Sequence, residues 1–137
     1  MPSFIRLLRT LCLSSSLLAL GACANASPDT VKSASYTLAT GQTADLGAGL
    51  ALHFDKAEDS RCPKDVVCIR AGALIYFFTL SSKLNAESFT LSPGAAGFAS
   101  IQRKGLGIAL ADQPPPPVTK ANERPTSYSV TVQVTAP

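Results

Sequence analysis

The sequence is short of the residues from which catalytic and metal sites are usually built. Among its 137 residues there is one histidine, His53, and there is no tryptophan. It contains no G-x-S-x-G turn, no H-E-x-x-H pair and no phosphate-binding glycine loop. These absences argue against the common hydrolase, metalloprotease and nucleotide-binding classes. We therefore predict a protein without enzyme activity, cofactor or metal.

Clustered positive charge is also missing. Twelve Lys and Arg residues oppose nine Asp and Glu residues, for a formal net charge of +3. Two of the cations, Arg6 and Arg9, lie in a segment that we expect to be removed, which leaves a net charge of about +1. Binding along a phosphate backbone requires a basic stripe, so no nucleic-acid partner is expected.

The N-terminal segment has the pattern of an export signal. The two arginines precede an apolar run from Leu11 to Leu20, which is too short to cross a hydrocarbon core of about 30 Å. The run leads into "LGAC", which ends at Cys23 and resembles the bacterial lipobox. The resemblance implies a lipoprotein signal peptide over residues 1–22 and acylation of Cys23 with palmitate-type chains that anchor it in a membrane. The alternative is an unlipidated secretory peptide cut at "ANA", residues 24–26.

The residues after Cys23 suggest a location and a domain plan. Retention in the inner membrane favours aspartate after the lipidated cysteine, and this chain has Ala24. We therefore expect attachment to the bacterial outer membrane, on its periplasmic face, with surface display as the alternative. Residues 23–34 are small and polar and predict an acylated tether. Residues 35–137 have the length of a single domain.

Cysteine counting predicts one disulfide. Cys12 leaves with the signal peptide and Cys23 carries lipid, so Cys62 and Cys68 remain in an oxidising compartment. A thioredoxin-type redox pair has two intervening residues rather than five, and a zinc site needs two further ligands. A structural bridge is therefore favoured. By the loop-entropy estimate it stabilises the fold by about 2 to 2.5 kcal/mol.

From residue 35 onward the apolar residues recur with the two-residue period of β-strands. "GLALHFD" (49–55) and "SYSVTVQVT" (127–135) each alternate apolar and polar side chains, as half-buried strands do. "ALIYFFTL" (73–80) is apolar on both faces and predicts a central strand covered on both sides. Weaker patterns predict strands near Ser35–Thr40, Thr43–Leu46, Glu87–Leu91, Phe98–Gln102 and Leu106–Ala111.

These patterns predict an all-β domain of seven to eight short strands. We expect an antiparallel β-sandwich, with immunoglobulin-like topology as one form of it and a small β-barrel as the alternative. "QPPPPV" (113–118) contains four consecutive residues without an amide donor. It should therefore be a stiff polyproline connection to the last strand and not an interior strand.

The chain from about residue 35 to residue 134 resembles a group of uncharacterised bacterial lipoproteins and secreted β-domains. The resemblance runs through "GQTADL", "GLALHFDKAEDSRCPKDVVCIRAGA" and the closing "YSVTVQV". The group typically shows Ser-Arg-Cys-Pro, a few residues, and then Cys-x-Trp-x-Gly. It implies an extracytoplasmic β-domain with a disulfide and brings no established activity. In this chain Arg70 occupies the tryptophan position.

The segment around the two cysteines supplies the candidate site residues. The favoured interpretation of Arg70 is a tolerated surface substitution, exposed to solvent or paired with Asp59 or Asp65. The alternative hypothesis is that Arg61, Lys64 and Arg70, which lie close together in sequence beside Pro63, form a basic ridge for an acidic partner.

The acidic residues near His53 offer a second candidate site. Asp55, Glu58, Asp59 and Asp65 follow His53, but their spacing matches no calcium loop. His53 itself falls on the predicted solvent face of its strand. We therefore assign no metal or catalytic role to this set.

Three functions are compatible with the sequence. The favoured one is a non-enzymatic lipoprotein, tethered to the membrane, that binds an envelope protein or a cell-wall component. The second is an immunoglobulin-like protease inhibitor. The third is a hydrolase that uses His53 with nearby acids, which is disfavoured because one imidazole on a strand face offers no cleft.

Overall fold

Eight antiparallel strands form the fold in a computed structural model, which describes residues 30–137. The predicted signal peptide, the lipidation site Cys23 and most of the tether lie outside the described residues. The strands are β1 (Ala34–Ala39), β2 (Thr43–Gly47), β3 (Leu50–Asp59), β4 (Leu74–Ser81), β5 (Ala86–Leu91), β6 (Phe98–Ala99), β7 (Gly107–Leu110) and β8 (Ser129–Thr135). A single 3₁₀ turn, Ala121–Glu123, lies between β7 and β8. Residues 30–137 include no helix long and apolar enough to span a membrane.

The strands form two four-stranded sheets, which confirms the predicted antiparallel sandwich. One sheet has the order β1-β8-β7-β6 and the other β2-β3-β4-β5. Apart from the β1–β8 pair, neighbouring strands within each sheet are consecutive in the chain. An immunoglobulin sandwich instead mixes non-consecutive strands in a Greek key, so the immunoglobulin-like form is wrong for this chain. Residues 30–137 do not close into a barrel either.

The core lies between the two sheets and is built by the predicted alternation. In β3 the side chains of Leu52 and Phe54 are completely buried, and Phe54 stacks on Phe78 of β4 with ring centroids 5.1 Å apart. In β8 the valines point inward, as expected from "YSVTVQV". Each large apolar side chain buried in this way stabilises the fold by about 1.5 to 3 kcal/mol. The two sheets are thus held together mainly by apolar contacts.

Strand β4 departs from its prediction on one face. Leu74, Tyr76, Phe78 and Leu80 are buried, but the alternate residues, such as Phe77, are only half-buried. The expectation of a strand covered on both sides is therefore wrong. No further layer of residues 30–137 packs on the outer face of this sheet. Instead the Lys56 ammonium lies 4.7 Å from the centre of the Phe77 ring, and this contact partly shields the ring.

Strand β6 is shorter than the predicted Phe98–Gln102. It ends at Ala99 because the next residue, Ser100, uses its side chain to form a turn. The Ser100 hydroxyl donates to the Glu87 carboxylate and accepts a hydrogen bond from the Arg103 amide. Strand β6 therefore ends three residues earlier than the apolar pattern indicates.

The antiparallel register sorts the connections into two ends. The end that we call the loop end carries the β1–β2 turn, the β3–β4 loop (60–73) and the β7–β8 connection (111–128). The end that we call the turn end carries the β2–β3, β4–β5 and β6–β7 turns. The chain enters β1 at the turn end, where the Lys32 amide donates to the Leu46 carbonyl.

Candidate functional site: the loop end of the sandwich

The β3–β4 loop contains both cysteines, and we call residues 60–73 the disulfide loop. Cys62 and Cys68 form the predicted bridge, with their Cα atoms 5.9 Å apart. This separation lies within the ordinary range for disulfides. The bridge closes the outer half of a loop whose two ends leave adjacent, paired strands.

The base of the disulfide loop depends on a close backbone approach at Gly72. A Cβ atom at this position would lie 1.7 Å from the Ser60 carbonyl oxygen, a distance that no side chain tolerates. The Ser60 amide donates to the Ala73 carbonyl at 2.9 Å, and the Ser60 hydroxyl accepts from the Ala73 amide at 2.9 Å. Glycine is therefore required where the loop returns to β4.

An ion pair at the end of β3 fixes the start of the loop. Arg61 donates from Nε to Asp59 Oδ1 at 2.8 Å and from Nη2 to Asp59 Oδ2 at 2.6 Å. Both side chains are mostly buried, with exposed fractions of 18% for Arg61 and 14% for Asp59. Asp59 also accepts hydrogen bonds from the Arg61 amide and the Tyr128 hydroxyl. This set, the Asp59–Arg61 clamp, satisfies a carboxylate that would otherwise be costly to bury.

The clamp shifts the pKa of each of its groups. The hydrogen bonds from Arg61 lower the pKa of Asp59 from 3.8 to about 2, against the opposing effect of burial. The Asp59 carboxylate in turn raises the pKa of Arg61. Burial raises the pKa of Tyr76 and of Tyr128, so both phenols stay neutral near pH 7. The clamp is therefore held in one protonation state at neutral pH, with Asp59 charged and both phenols neutral.

The β7–β8 connection is bound to the disulfide loop by several hydrogen bonds. Arg61 donates from Nη1 to the Pro116 carbonyl at 2.8 Å, and the Lys64 amide donates to the Thr119 carbonyl at 3.2 Å. Arg124 donates from Nη1 to the Asp59 carbonyl at 2.8 Å. The proline run is therefore not a strand, as predicted, and it lies against the clamp. Through these hydrogen bonds the disulfide loop and the β7–β8 connection form one continuous surface.

The outer half of the disulfide loop exposes apolar side chains. Val67 is 98% exposed and Ile69 is fully exposed, while Val66 is about half exposed. Three of the five exposed large apolar side chains within residues 30–137 are thus grouped in this one short loop, and a cluster of this kind is typical of a contact surface. We call Val66, Val67 and Ile69 the apolar tip.

The three residues of the predicted basic ridge are placed differently from one another. Lys64 and Arg70 are exposed, but Arg61 is turned inward into the clamp. None of the salt bridges within residues 30–137 involves Arg70. Asp59, one of its two expected partners, is instead held by Arg61. The exposed surface of the loop is thus apolar at its tip, with Lys64 and Arg70 nearby in sequence.

The second group, around His53, lies on the open face of the β2-β3-β4-β5 sheet. His53 Nδ1 is 2.8 Å from the Thr43 hydroxyl, and Nε2 is 3.7 Å from Asp55 Oδ1. A shallow depression of about 410 Å³ adjoins Asp55, and it is wide open to solvent. Within residues 30–137 no three His, Cys, Asp or Glu side chains are grouped closely enough to hold a metal ion. The structure does not bring Glu58 or Asp65 to His53 in any hydrogen bond or salt bridge.

Comparisons of the chain with protein-family models, with curated proteins and with solved structures find no match. Function must therefore be argued from the chain itself. The clamp is the feature that sequence reasoning missed. The D-x-R spacing where β3 ends is a local signal for it, because an aspartate side chain commonly accepts from the amide two residues on, as Asp59 does from Arg61. Nothing in the sequence around Arg124 points to its role.

Proposed function

We propose that this chain is a lipid-anchored protein of the bacterial envelope, attached through Cys23 to the periplasmic face of the outer membrane. On this proposal it is a non-enzymatic binding module. Its loop end contacts an envelope protein or a cell-wall component. The main observation in favour of this proposal is the apolar tip, which is exposed on a loop closed by a disulfide.

The construction of the disulfide loop supports a role in recognition. Val67 and Ile69 face solvent and so contribute no burial energy to the fold, whereas burial of either side chain would stabilise it. The disulfide, the close approach at Gly72 and the Asp59–Arg61 clamp all restrict the loop. A loop that is ordered before binding loses less conformational entropy on association. Such a loop suits a contact surface better than a flexible connection does.

The position of the loop also supports this role. The chain enters the fold at residues 32–33, which lie at the turn end, and the disulfide loop lies at the opposite end. With an anchor at Cys23, the apolar tip points away from the attachment point. A tethered domain would then present its tip to partners in the periplasm.

The anchor and the contact surface are tested separately. Cys23→Ala should abolish labelling by a radioactive or clickable fatty acid and release the chain from the membrane fraction. For the contact surface, Val67→Ser combined with Ile69→Ser should remove crosslinks that the full anchored chain forms in intact cells. Ala95→Ser is the matched control, because Ala95 is exposed in the β5–β6 connection and belongs to neither the disulfide loop nor the turn end. Identical crosslinks in the loop variant and the parent would contradict the proposed contact surface.

A protease inhibitor remains the second candidate, without the immunoglobulin-like topology. The observation in its favour is the same disulfide-closed loop, because an inhibitory loop must be exposed and rigid to occupy a cleft. Inhibition of an envelope or secreted protease by the parent, lost in the Val67→Ser/Ile69→Ser variant, would favour this candidate. No inhibition across a protease panel would remove it.

A further inference from the structure

Two apolar residues project from the turn end, opposite the disulfide loop. Leu84 lies in the β4–β5 turn and is 89% exposed, and Ile101 lies in the β6–β7 turn and is 88% exposed. The two turns adjoin one another, since Leu84 and Arg103 line the same hollow. Neither side chain contributes to the core. We call these two turns, residues 82–85 and 100–105, the turn tips.

Hydrogen bonds hold both turn tips in place. The Ser82 amide donates to the Asn85 carbonyl at 2.8 Å and closes the first turn. In the second turn, the Ile101 amide donates to Glu87 Oε1 at 2.9 Å, and Ser100 Oγ donates to the other oxygen of the same carboxylate. The outward direction of Leu84 and Ile101 is therefore built into the backbone of the turns.

Positive charge surrounds these apolar residues. Lys83 and Lys104 lie in the turn tips beside them, and both are exposed. Arg103 is also exposed and donates from Nη2 to the Ala48 carbonyl in the neighbouring turn. The side-chain carboxylates at this end include Asp45, which accepts from the Gly47 amide, and Glu87, whose two oxygens accept from the second tip. Pro137, the last described residue, lies against Gly105 of the same tip. Apolar side chains ringed by lysine and arginine suit the boundary between lipid headgroups and acyl chains.

The path of the chain brings this end close to the expected anchor. The Lys32 amide donates to the Leu46 carbonyl, and the Ala136 amide donates to the Ser33 hydroxyl, so the N-terminal segment is tied down at the turn end. From Cys23 to Lys32 the chain is nine residues long, which spans about 30 Å at full extension. A chain anchored at Cys23 therefore has its turn end as the part nearest the membrane.

We propose that the turn end lies against the bilayer to which the chain is anchored, with Leu84 and Ile101 inserted at headgroup level. Lys83, Arg103 and Lys104 face the phosphates of anionic phospholipids. This inference rests on the proposed function only for the anchor at Cys23. It gives the domain a fixed orientation on the membrane, with the apolar tip held farthest from the lipid. A protein covering the same tips is an alternative outcome of the test below.

The lack of tryptophan in the chain makes the contact directly measurable. Leu84→Trp and Ile101→Trp each introduce a single indole at a turn tip, and Val67→Trp introduces one at the loop end as the matched control. The acylated full-length protein is reconstituted in vesicles of phosphatidylethanolamine with phosphatidylglycerol, with and without brominated acyl chains. We expect blue-shifted emission and quenching by brominated lipid for Leu84→Trp and Ile101→Trp. We expect water-exposed, unquenched emission for Val67→Trp.

The charge requirement is tested in the Leu84→Trp background. Replacing Lys83 and Lys104 with glutamine should lower the equilibrium constant for insertion of the turn tips by about fivefold per lysine. Each cation near an anionic surface strengthens binding by about that factor. Vesicles without phosphatidylglycerol, or high salt, should likewise weaken insertion of the Leu84→Trp protein that keeps both lysines. Quenching that does not respond to any of these changes would contradict the role of the basic residues.

The outcomes separate this inference from the proposed function. Confirmed acylation with unquenched Leu84→Trp and Ile101→Trp would overturn the membrane contact and leave the anchor intact. Shielding of the same indoles by a co-purifying protein, without quenching by lipid, would also overturn it. Quenching at the tips in a chain that carries no acyl label would support the contact and overturn the anchor. Quenching of Val67→Trp equal to that of Leu84→Trp would contradict the orientation and the proposed role of the loop end.

Discussion

Replacing Asp59 with asparagine tests whether the Asp59–Arg61 clamp stabilises the loop end. The amide keeps the shape of the carboxylate but loses the charge that pairs with Arg61. Hydrogen bonds from Arg61 lower the pKa of Asp59 to about 2. The difference between this pKa and 3.8 corresponds to at most about 2.5 kcal/mol. Because water still reaches the pair, we expect Asp59→Asn to lower the free energy of unfolding by roughly 1 to 2 kcal/mol at pH 7.

The pH dependence of this loss follows from the sign of the shift. The pKa of Asp59 is lower in the folded state, so protons bind the unfolded state more tightly and acid favours unfolding. The contribution of the clamp is complete above the ordinary aspartate pKa. It should fall to about half near pH 3 and become small near pH 2. Parent and variant should therefore converge in stability as the pH falls from about 4 to 2.

Urea unfolding followed by far-ultraviolet circular dichroism measures this difference, with the disulfide kept oxidised throughout. Glu58→Gln is the matched control on the same strand. Its ion pair with Lys56 is more than half exposed on both sides, so its loss should cost less than about 0.5 kcal/mol. Asp59→Asn indistinguishable from Glu58→Gln at pH 7 would refute the argument. So would a difference between Asp59→Asn and the parent that stays constant down to pH 2.

Three further predictions concern backbone conformation and the Cys62–Cys68 disulfide. Gly72→Ala should lower the free energy of unfolding by about 2 kcal/mol or more, because the added Cβ meets a carbonyl oxygen at 1.7 Å; a loss no larger than that of the exposed neighbour variant Ala71→Ser would contradict this. Ala48 has a φ of 50° in the β2–β3 turn, so Ala48→Gly should raise the urea midpoint by an amount equivalent to about 0.5 to 1 kcal/mol; a lower midpoint would refute the strain. Cys62→Ser combined with Cys68→Ser should lower the free energy of unfolding by about 2 kcal/mol, and equal thermal midpoints in variant and parent would show that the bridge adds no stability.

The sequence predicts the strands well because burial on one face imposes a visible period of two. All eight strands coincide with predicted segments, including the weak ones at β2 and β7. Counting cysteines predicts the disulfide for a different reason, since Cys62 and Cys68 are the only two left once Cys12 and Cys23 are assigned to the expected signal peptide and lipid anchor. Strand order is not encoded in this period. The turns that join β2 to β3 and β4 to β5 are short, and β3 pairs with β4 across the longer disulfide loop; consecutive strands therefore pair as a meander and not in an immunoglobulin-like order.

The loop end is predicted less completely, because its contacts join residues far apart in the chain. From the sequence, Arg61 is expected to be an exposed basic residue in a polar loop. In the structure it instead donates hydrogen bonds to Asp59 and to the Pro116 carbonyl. Arg124 lies in a stretch without any periodicity and still binds the end of β3. The prediction for the outer face of β4 is wrong for a different reason. Its apolar side chains predict a covering layer, and Lys56 supplies only part of one.

The most direct test of the central claim is site-specific photo-crosslinking in living cells. A photoreactive residue replaces Val67 in one variant of the anchored chain and Leu84 in another. We predict adducts with protein or cell wall from position 67, and adducts with phospholipid from position 84. Lipid adducts from position 67, or no macromolecular adduct there in a chain that is acylated and folded, would contradict it.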